Sequence, residues 1–446
     1  MFLKKQQLNP TKMIAVGYCI IIFTGAVLLS LPIANRGSHF TPFIDALFTA
    51  TSATCVTGLV VYDTYTYWST FGQIILLILM QMGGIGFMTV AISAVALTKK
   101  KIGLKDRFVM QESVAAPQVG GIVRLTKFIT IGTVFFEGLG AILLSFTLIP
   151  MLGPARGIYF SVFHSVSAFC NAGMDLMGAF KPGSSLISFS DNYMFISVIM
   201  VLIVVGGLGF FVWSDLVENR FNYKHYTLHT KLVLTLTLIL IVVGTVGILL
   251  FESTGEAFVG KTATEKFMLS LFQSITPRTA GFNTIDINIL TDSSQLLIIC
   301  LMLIGGSPGS TAGGIKTTTF AILILSIVTV IKRKKSVECF NRRIDDETLR
   351  QVCCILMMYL ILIVTATMVI GAIDHIPMKY AAFETTSAVG TVGLSLGITA
   401  QMSGTSRLIV TALMYFGRVG GITVLLALTN KLPQVSQLPK GKIAVG

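Results

Sequence analysis

The 446-residue chain is poor in charge: Asp, Glu, Lys and Arg make up 12% of it, about half the share that covers a soluble domain. Soluble, disordered and collagenous classes are therefore excluded, and an integral membrane protein remains. Its seven cysteines show no CxxC pair and no framework spacing, which argues against disulfides and a zinc site. There is no HExxH and no convergent His/Asp/Cys set, so the chain is not expected to be an enzyme. The first residues, MFLKKQQLNPTKM, run into an apolar stretch without a small-residue cleavage site. An anchor helix is expected there, and not a removed signal.

Hydrophobic residues supply 53% of the chain, and the net charge is nonetheless +13. Most of the 33 Lys and Arg fall in alternate loops: residues 4–12, 99–127, 220–231, 332–350 and 431–442. This is the positive-inside bias, and it predicts a multi-pass protein with both termini cytoplasmic. A basic face for nucleic acid is the poorer reading, and no nucleic-acid partner is expected.

A spanning helix needs about 20 apolar residues. Eight segments qualify: 13–32, 70–97, 124–150, 193–216, 231–252, 295–331, 350–373 and 404–429. Between the members of each pair lies a shorter element, at 42–54, 158–170, 264–277 and 379–389. These are too short to cross a bilayer of about 30 Å. A helix that enters halfway and returns fits them better.

Each short element ends alike, in SATCVTGL, SAFCNAGM, ITPRTAGF and SAVGTVGL. Their shared glycines are Gly58, Gly173, Gly281 and Gly393, separated by 115, 108 and 112 residues. A second glycine signal marks each following helix: MGGIGF, VGGLGF, IGGSPG and FGRVGG. The fold class predicted is an all-α membrane protein of four parallel helix–pore-loop–helix repeats around a pseudo-fourfold pore. The repeats are bounded at 1–97, 98–216, 217–331 and 332–446.

Non-helical backbone at membrane depth is tolerated where it lines a watery path or is buried in protein. Four such loops on one axis can offer carbonyl oxygens in place of a cation's hydration shell. The half-helices aim their negative C-terminal ends at the same point. Helix packing is the competing explanation of any one glycine; four matched positions favour a filter. The expected filter residues are Val56, Thr57 and Gly58; Asn171, Ala172 and Gly173; Thr279, Ala280 and Gly281; and Thr391, Val392 and Gly393, with K+ as the bound metal ion. Cys55 and Cys170, three residues before their glycines, are expected to pack behind the loops.

On these motifs the chain resembles the superfamily of K+ transporters that includes Trk, Ktr and plant HKT proteins, most closely the membrane subunit of bacterial Ktr systems of the KtrB or KtrD type. The likeness covers nearly the whole chain. It implies K+-selective translocation across a bacterial plasma membrane. It also implies a homodimer, docked on a cytosolic ring of nucleotide-binding regulatory subunits of the KtrA or KtrC type. No covalently bound cofactor is expected. Na+ activation occurs among such proteins, although no residue marks a Na+ site. Glycine at position 58, where some Na+-preferring relatives have serine, favours K+.

Segment 295–331 would run about 55 Å as one helix, nearly twice the hydrocarbon thickness. Its middle, Gly305, Gly306, Ser307, Pro308, Gly309, Ser310, Thr311, Ala312, Gly313 and Gly314, cannot be regular helix. An intramembrane loop is predicted, and the resemblance implies that it obstructs the pore until the transporter is activated. Its GxxxxG spacing imitates a phosphate loop, but Ile315 intervenes before Lys316 and a membrane helix precedes it. Lys316 and Arg418 are intramembrane charges, costly unless they face protein or water. The resemblance implies that Arg418 holds the gating loop; the bland alternative is a satisfied charge near the membrane edge.

Asp63, Asp175 and Asp286 follow their glycines closely and are placed at the outer mouth, as cation attractors or as plain loop residues. One of Glu137 and Glu384 is expected to pair with Arg278, since a lone buried charge is costly. His225 and His229 have metal-ligand spacing but belong to a basic connector. The connectors 98–123, 217–230 and 332–349 could meet the regulatory partner or anionic lipid headgroups. The rival function is a cation-coupled secondary transporter, a K+/Na+ or K+/H+ symporter, since repeats and broken helices occur there too.

Overall fold

The computed structural model describes residues 10–86, 121–220 and 222–421, and, singly or in short runs, 89–90, 103, 107–109, 111 and 423. Residues 1–9, most of the 98–123 connector, the ends of spans 70–97 and 404–429, and the C-terminus lie outside the described residues.

Each repeat opens with a long helix: α1 (Pro10–Ser30), α4 (Ile122–Leu152), α8 (Leu228–Phe251) and α12 (Asp346–Asp374). All four are long and apolar enough to cross a membrane. Their outward faces carry exposed large apolar side chains, such as Ile20, Phe23, Phe135, Val243 and Ile361. In water such faces would be costly, and in lipid they are the cheapest covering.

A short helix follows in each repeat: α2 (Phe43–Thr54), α5 (Pro154–Phe169), α9 (Ala263–Ile275) and α13 (Met378–Gly390). They match the four half-helices expected from length. Three begin at or beside proline, whose missing N–H costs nothing in a first turn. The third instead carries a capping box between Thr262 and Glu265.

The third helices depart from expectation. The sequence suggests unbroken spans, but α3 (Thr70–Ile85), α6 (Tyr193–Leu208) and α14 (Gly404–Val419) each end at a glycine with positive φ. These are Gly86 at +86°, Gly209 at +97° and Gly420 at +89°. That backbone region interrupts the i to i−4 ladder, and glycine enters it without a Cβ penalty. After Gly209 the chain turns by 91° into α7 (Phe210–Glu218), so residues 193–216 are not one straight span. In the third repeat α10 (Asp292–Leu303) and α11 (Thr317–Ile331) flank a non-helical segment, as predicted.

The repeats close on themselves. The helix following each half-helix packs against the half-helix of the next repeat: α3 on α5, α6 on α9, α10 on α13, and α14 back on α2. Within the first, second and fourth repeats, glycines also let the third helix approach its own half-helix closely. A Cβ on Gly83, Gly206 or Gly417 would sit 2.0, 2.0 or 2.1 Å from the carbonyl oxygen of Thr54, Phe169 or Val389. A two-stranded hairpin, β1 (Glu338–Cys339) with β2 (Arg342–Arg343), interrupts the connector before α12.

Candidate functional site

The four half-helices end in loops of one design. In three of them the residue before the shared glycine donates its N–H to the serine carbonyl five back. These bonds, Thr57 to Ser52, Ala172 to Ser167 and Val392 to Ser387, are all 2.8 Å. The third loop differs because Pro277 and Arg278 intervene; there Ala280 donates to Thr276 at 2.9 Å. Hydroxyls brace the same loops. Ser52 accepts from the Gly58 N–H at 3.1 Å and Ser387 from that of Gly393 at 3.0 Å. Ser167 donates to the Met174 carbonyl at 2.6 Å and Thr276 to that of Phe282 at 2.7 Å. Ser52, Ser167 and Ser387 each stand six residues before their glycine, a constant distance that marks them in the sequence.

Positive φ recurs at alternate positions in every loop: Val56 and Gly58, Asn171 and Gly173, Thr279 and Gly281, Thr391 and Gly393. Three of the non-glycine residues are β-branched, for which this region is costly. The surroundings impose it. Val56, Thr57, Asn171, Ala172, Thr279, Ala280, Thr391 and Val392 are all buried.

The four glycines face one another in a closed order. A Cβ on Gly58 would lie 2.5 Å from the Ala172 carbonyl oxygen. One on Gly173 would lie 2.6 Å from that of Ala280, and one on Gly281 2.5 Å from that of Val392. One on Gly393 would lie 2.2 Å from that of Thr57, which completes the circuit. No side chain fits at these positions without displacing the neighbouring backbone. The half-helices point their C-terminal carbonyls at this ring, adding partial negative charge.

On one side the ring opens into a cavity of about 260 Å³. All four glycines line it, with Asp63, Asp175, Asn283, Ser395 and Thr399. Two of the three aspartates expected at a mouth are thus present. Asp286 is not; it caps a short turn by accepting from the Asn288 N–H at 2.9 Å. Burial pushes the Asp175 carboxyl up to about 6; the Met177 N–H pulls it back, and Asp63 adds a further upward push.

On the other side lies the segment 304–316. Its ends are tied by the Gly305 N–H to the Ile315 carbonyl at 2.8 Å and the Thr317 N–H to the Gly306 carbonyl at 3.0 Å. It is stitched to the break between α6 and α7: Ser307 donates to Gly207 at 3.0 Å, and Phe210 donates to Gly309 at 2.6 Å. The Thr311 hydroxyl donates to Phe169, the end of the second half-helix, at 3.1 Å. Toward the ring, a Cβ on Gly305 would be 3.3 Å from Thr279 Cγ2, and one on Gly313 2.1 Å from Thr391 Oγ1. The segment therefore lies directly against the ring's inner residues. Below it is a second cavity of about 340 Å³, lined by Tyr18, Tyr359, Lys316 and Arg418 among others.

Both intramembrane cations bind backbone carbonyls. Lys316 Nζ donates to Ala312 at 2.7 Å, within its own segment. Arg418 donates to the carbonyls of Thr311 and Gly83, and to that of Gly84 at 3.0 Å. It so joins α14, the segment and the end of α3.

The expected pairing of Arg278 with a carboxylate is not found. Its Nη2 donates to Thr237 Oγ1 at 3.4 Å, toward the long helix of its own repeat, and no described carboxylate pairs with it. Glu137, in the second repeat, instead accepts from Gln81 at 3.0 Å, and Glu384 accepts from Thr399. Each acid stays behind its own loop, out of reach. Cys55 and Cys170 are fully buried, with Cys170 Sγ 3.6 Å from Gln81 Oε1. His229 packs edge-on against Phe211, and the described residues include no metal-binding group of His, Cys, Asp or Glu.

The family described as TrkH, cation transport protein, matches residues 4–438. The chain is 40% identical to the potassium/sodium uptake protein NtpJ of Enterococcus hirae, over 99% of this chain and 98% of that one. It is 35% identical to the Ktr system potassium uptake protein B of Bacillus subtilis, over 100% and 98%. The crystal structure of the potassium transporter TrkH from Vibrio parahaemolyticus superposes with a TM-score of 0.75 at 17% identity, covering 96% of this chain and 87% of that one.

Proposed function

Because the chain belongs to the TrkH family of cation transport proteins, we propose that it carries potassium ions into the cell through the ring of four glycines. It is a potassium or cation uptake membrane protein of the Ktr/Trk type. The filter is formed by the loops ending in Gly58, Gly173, Gly281 and Gly393. The observation that carries this reading is the closed order of those glycines, each against the carbonyl of the next repeat. Carbonyls held there replace water around a dehydrated cation.

The segment 304–316 is the gate. It lies between the filter and the second cavity, and Arg418 and Lys316 hold it through its carbonyls. Opening requires those bonds to break or rotate away. The protein acts as a homodimer in the plasma membrane, and a cytosolic nucleotide-binding ring of the kind that Ktr systems use supplies the signal. The basic stretch 332–349, with its exposed hairpin, is the docking surface on this chain.

The test is flux. The purified chain in liposomes, with K+ or Na+ driven by its own gradient, should pass K+ faster than Na+. Gly393→Ser should erode that preference about tenfold, equivalent to about 1.4 kcal/mol. Unchanged selectivity in the variant would remove the ring from the mechanism. K+ movement that required a second ion gradient would establish a symporter.

A further inference from the structure

Three residues before each shared glycine the chain carries Cys55, Cys170, Arg278 and Gly390. The third repeat alone puts a charge there. Arg278 is 7% exposed, and its N–H donates to the Ile275 carbonyl at 3.1 Å, which fixes its backbone at the end of α9. Its side chain reaches α8, where Nη2 donates to Thr237 Oγ1 at 3.4 Å, the long limit of a hydrogen bond. Nε has no hydrogen-bond partner among the described residues. No described carboxylate oxygen lies within 4.0 Å of the guanidinium. A guanidinium stays charged in almost any setting, so a full positive charge stands uncompensated behind the third loop. The next residue, Thr279, is at the inner end of the ring, where a Cβ on Gly305 would be 3.3 Å from its Cγ2. Gly281, two residues further, lines the mouth cavity with Asp63 and Asp175.

We propose that Arg278 sets how tightly the ring holds its ion: its charge weakens cation binding at the inner end and speeds release on that side. This rests on the reading of the ring as a filter. A pore must bind its ion well enough to admit it and weakly enough to let it leave. The carbonyls and the four half-helix ends all attract the cation, and Asp63 and Asp175 add to the attraction at the outer end. Arg278 opposes them from behind one loop, nearest the end where the ion departs. In a poorly polarisable surrounding such a charge acts well beyond contact distance. Burying it is costly, and packing does not require it, since cysteine and glycine fill the three equivalent places. A single fixed charge acts on K+ and Na+ alike. Arg278 therefore governs affinity and rate, and the backbone of the ring governs the choice between the two ions.

Thermal unfolding of the full chain in detergent tests this, in rising K+ with choline chloride holding the ionic strength. An ion bound only by the folded state raises the Tm, so the K+ concentration that gives half the rise reports the affinity. Arg278→Gln should move that midpoint severalfold lower. In liposomes it should also slow downhill K+ flux at saturating K+, because the ion leaves late. Arg278→Lys, which keeps the charge, should restore both toward wild type. Thr237→Asp keeps the arginine and sets a carboxylate against it; it should act as Arg278→Gln does, and it replaces that variant should the latter fail to fold. The preference for K+ over Na+ should stay as in the wild type throughout. A midpoint unchanged or raised in Arg278→Gln and Thr237→Asp overturns the proposal, and so does Arg278→Lys behaving like Arg278→Gln. A lost ion preference would mark a deformed loop and overturn it too. Absence of any K+-dependent rise in the wild type would remove the filter reading as well.

Discussion

Arg407 and Asp45, 362 residues apart in the chain, form an ion pair of 2.5 Å between the last helix and the first half-helix. Tyr62, just past the loop that ends in Gly58, donates to the other Asp45 oxygen at 2.7 Å. Successive repeats are joined covalently; the seam between the fourth and the first is not. This pair, with the packing of α14 on α2, closes it.

Breaking that pair should therefore be expensive. The Arg407 and Asp45 side chains are 17% and 6% exposed, so removing one leaves a poorly hydrated charge, at a cost of about 3 kcal/mol. Asp45→Asn and Arg407→Gln should each lower the Tm of the purified protein clearly. The double variant should lose less than the two singles together, as a double-mutant cycle would show.

Arg418→Ala removes the guanidinium from the carbonyls of Thr311, Gly83 and Gly84. Without them the segment 304–316 keeps its backbone stitches to α6, α7 and its own flanks, the Thr311 hydroxyl bond to Phe169 and the Gly314 N–H bond to Gly417. Basal K+ leak in liposomes should rise severalfold, with selectivity intact because the ring is untouched. A leak equal to wild type would sink the gating role.

The close approaches of helix to half-helix predict a contrast between two glycines. A Cβ on Gly206 would meet the Phe169 carbonyl oxygen at 2.0 Å, whereas nothing lies within 4 Å of one on Gly138. Gly206→Ala should cost about 1–3 kcal/mol through overpacking. Gly138→Ala, at an exposed helix position, should be neutral or slightly stabilising. Comparing the two Tm values checks it.

Acid should quiet the mouth. With its carboxyl pushed up to about 6, Asp175 is ionised above that pH and neutral below it. Asp63 is the other acid lining the same cavity. Lowering the outside pH from about 7.5 to about 5 should therefore reduce cation attraction and K+ flux about twofold. Asp175→Asn should start lower and lose this step. Unfolding does not account for the effect. A folded carboxyl that holds its proton more tightly than the unfolded chain gains relative stability as pH falls through about 6.

The membrane class, the four repeats and the four glycines were legible because they rest on local rules. Low charge, runs of about 20 apolar residues and a motif recurring at near-constant spacing need no knowledge of neighbours. The non-helical segment was legible for the same reason: Gly305 to Gly314 cannot sustain a helix. What the sequence could not decide were partners across the ring. Lone charges at 137, 278 and 384 announce that each needs compensation, but compensation depends on which helix faces which. Tertiary packing sent Arg407 to Asp45 and not to Glu384, and turned Arg278 toward Thr237. It also interrupted three expected helices at Gly86, Gly209 and Gly420, where contacts with the adjacent half-helices and the segment 304–316 determine whether a glycine packs or turns. Composition and period thus determined what kind of molecule this is; contacts between distant repeats decided which atoms face one another around the ring of glycines.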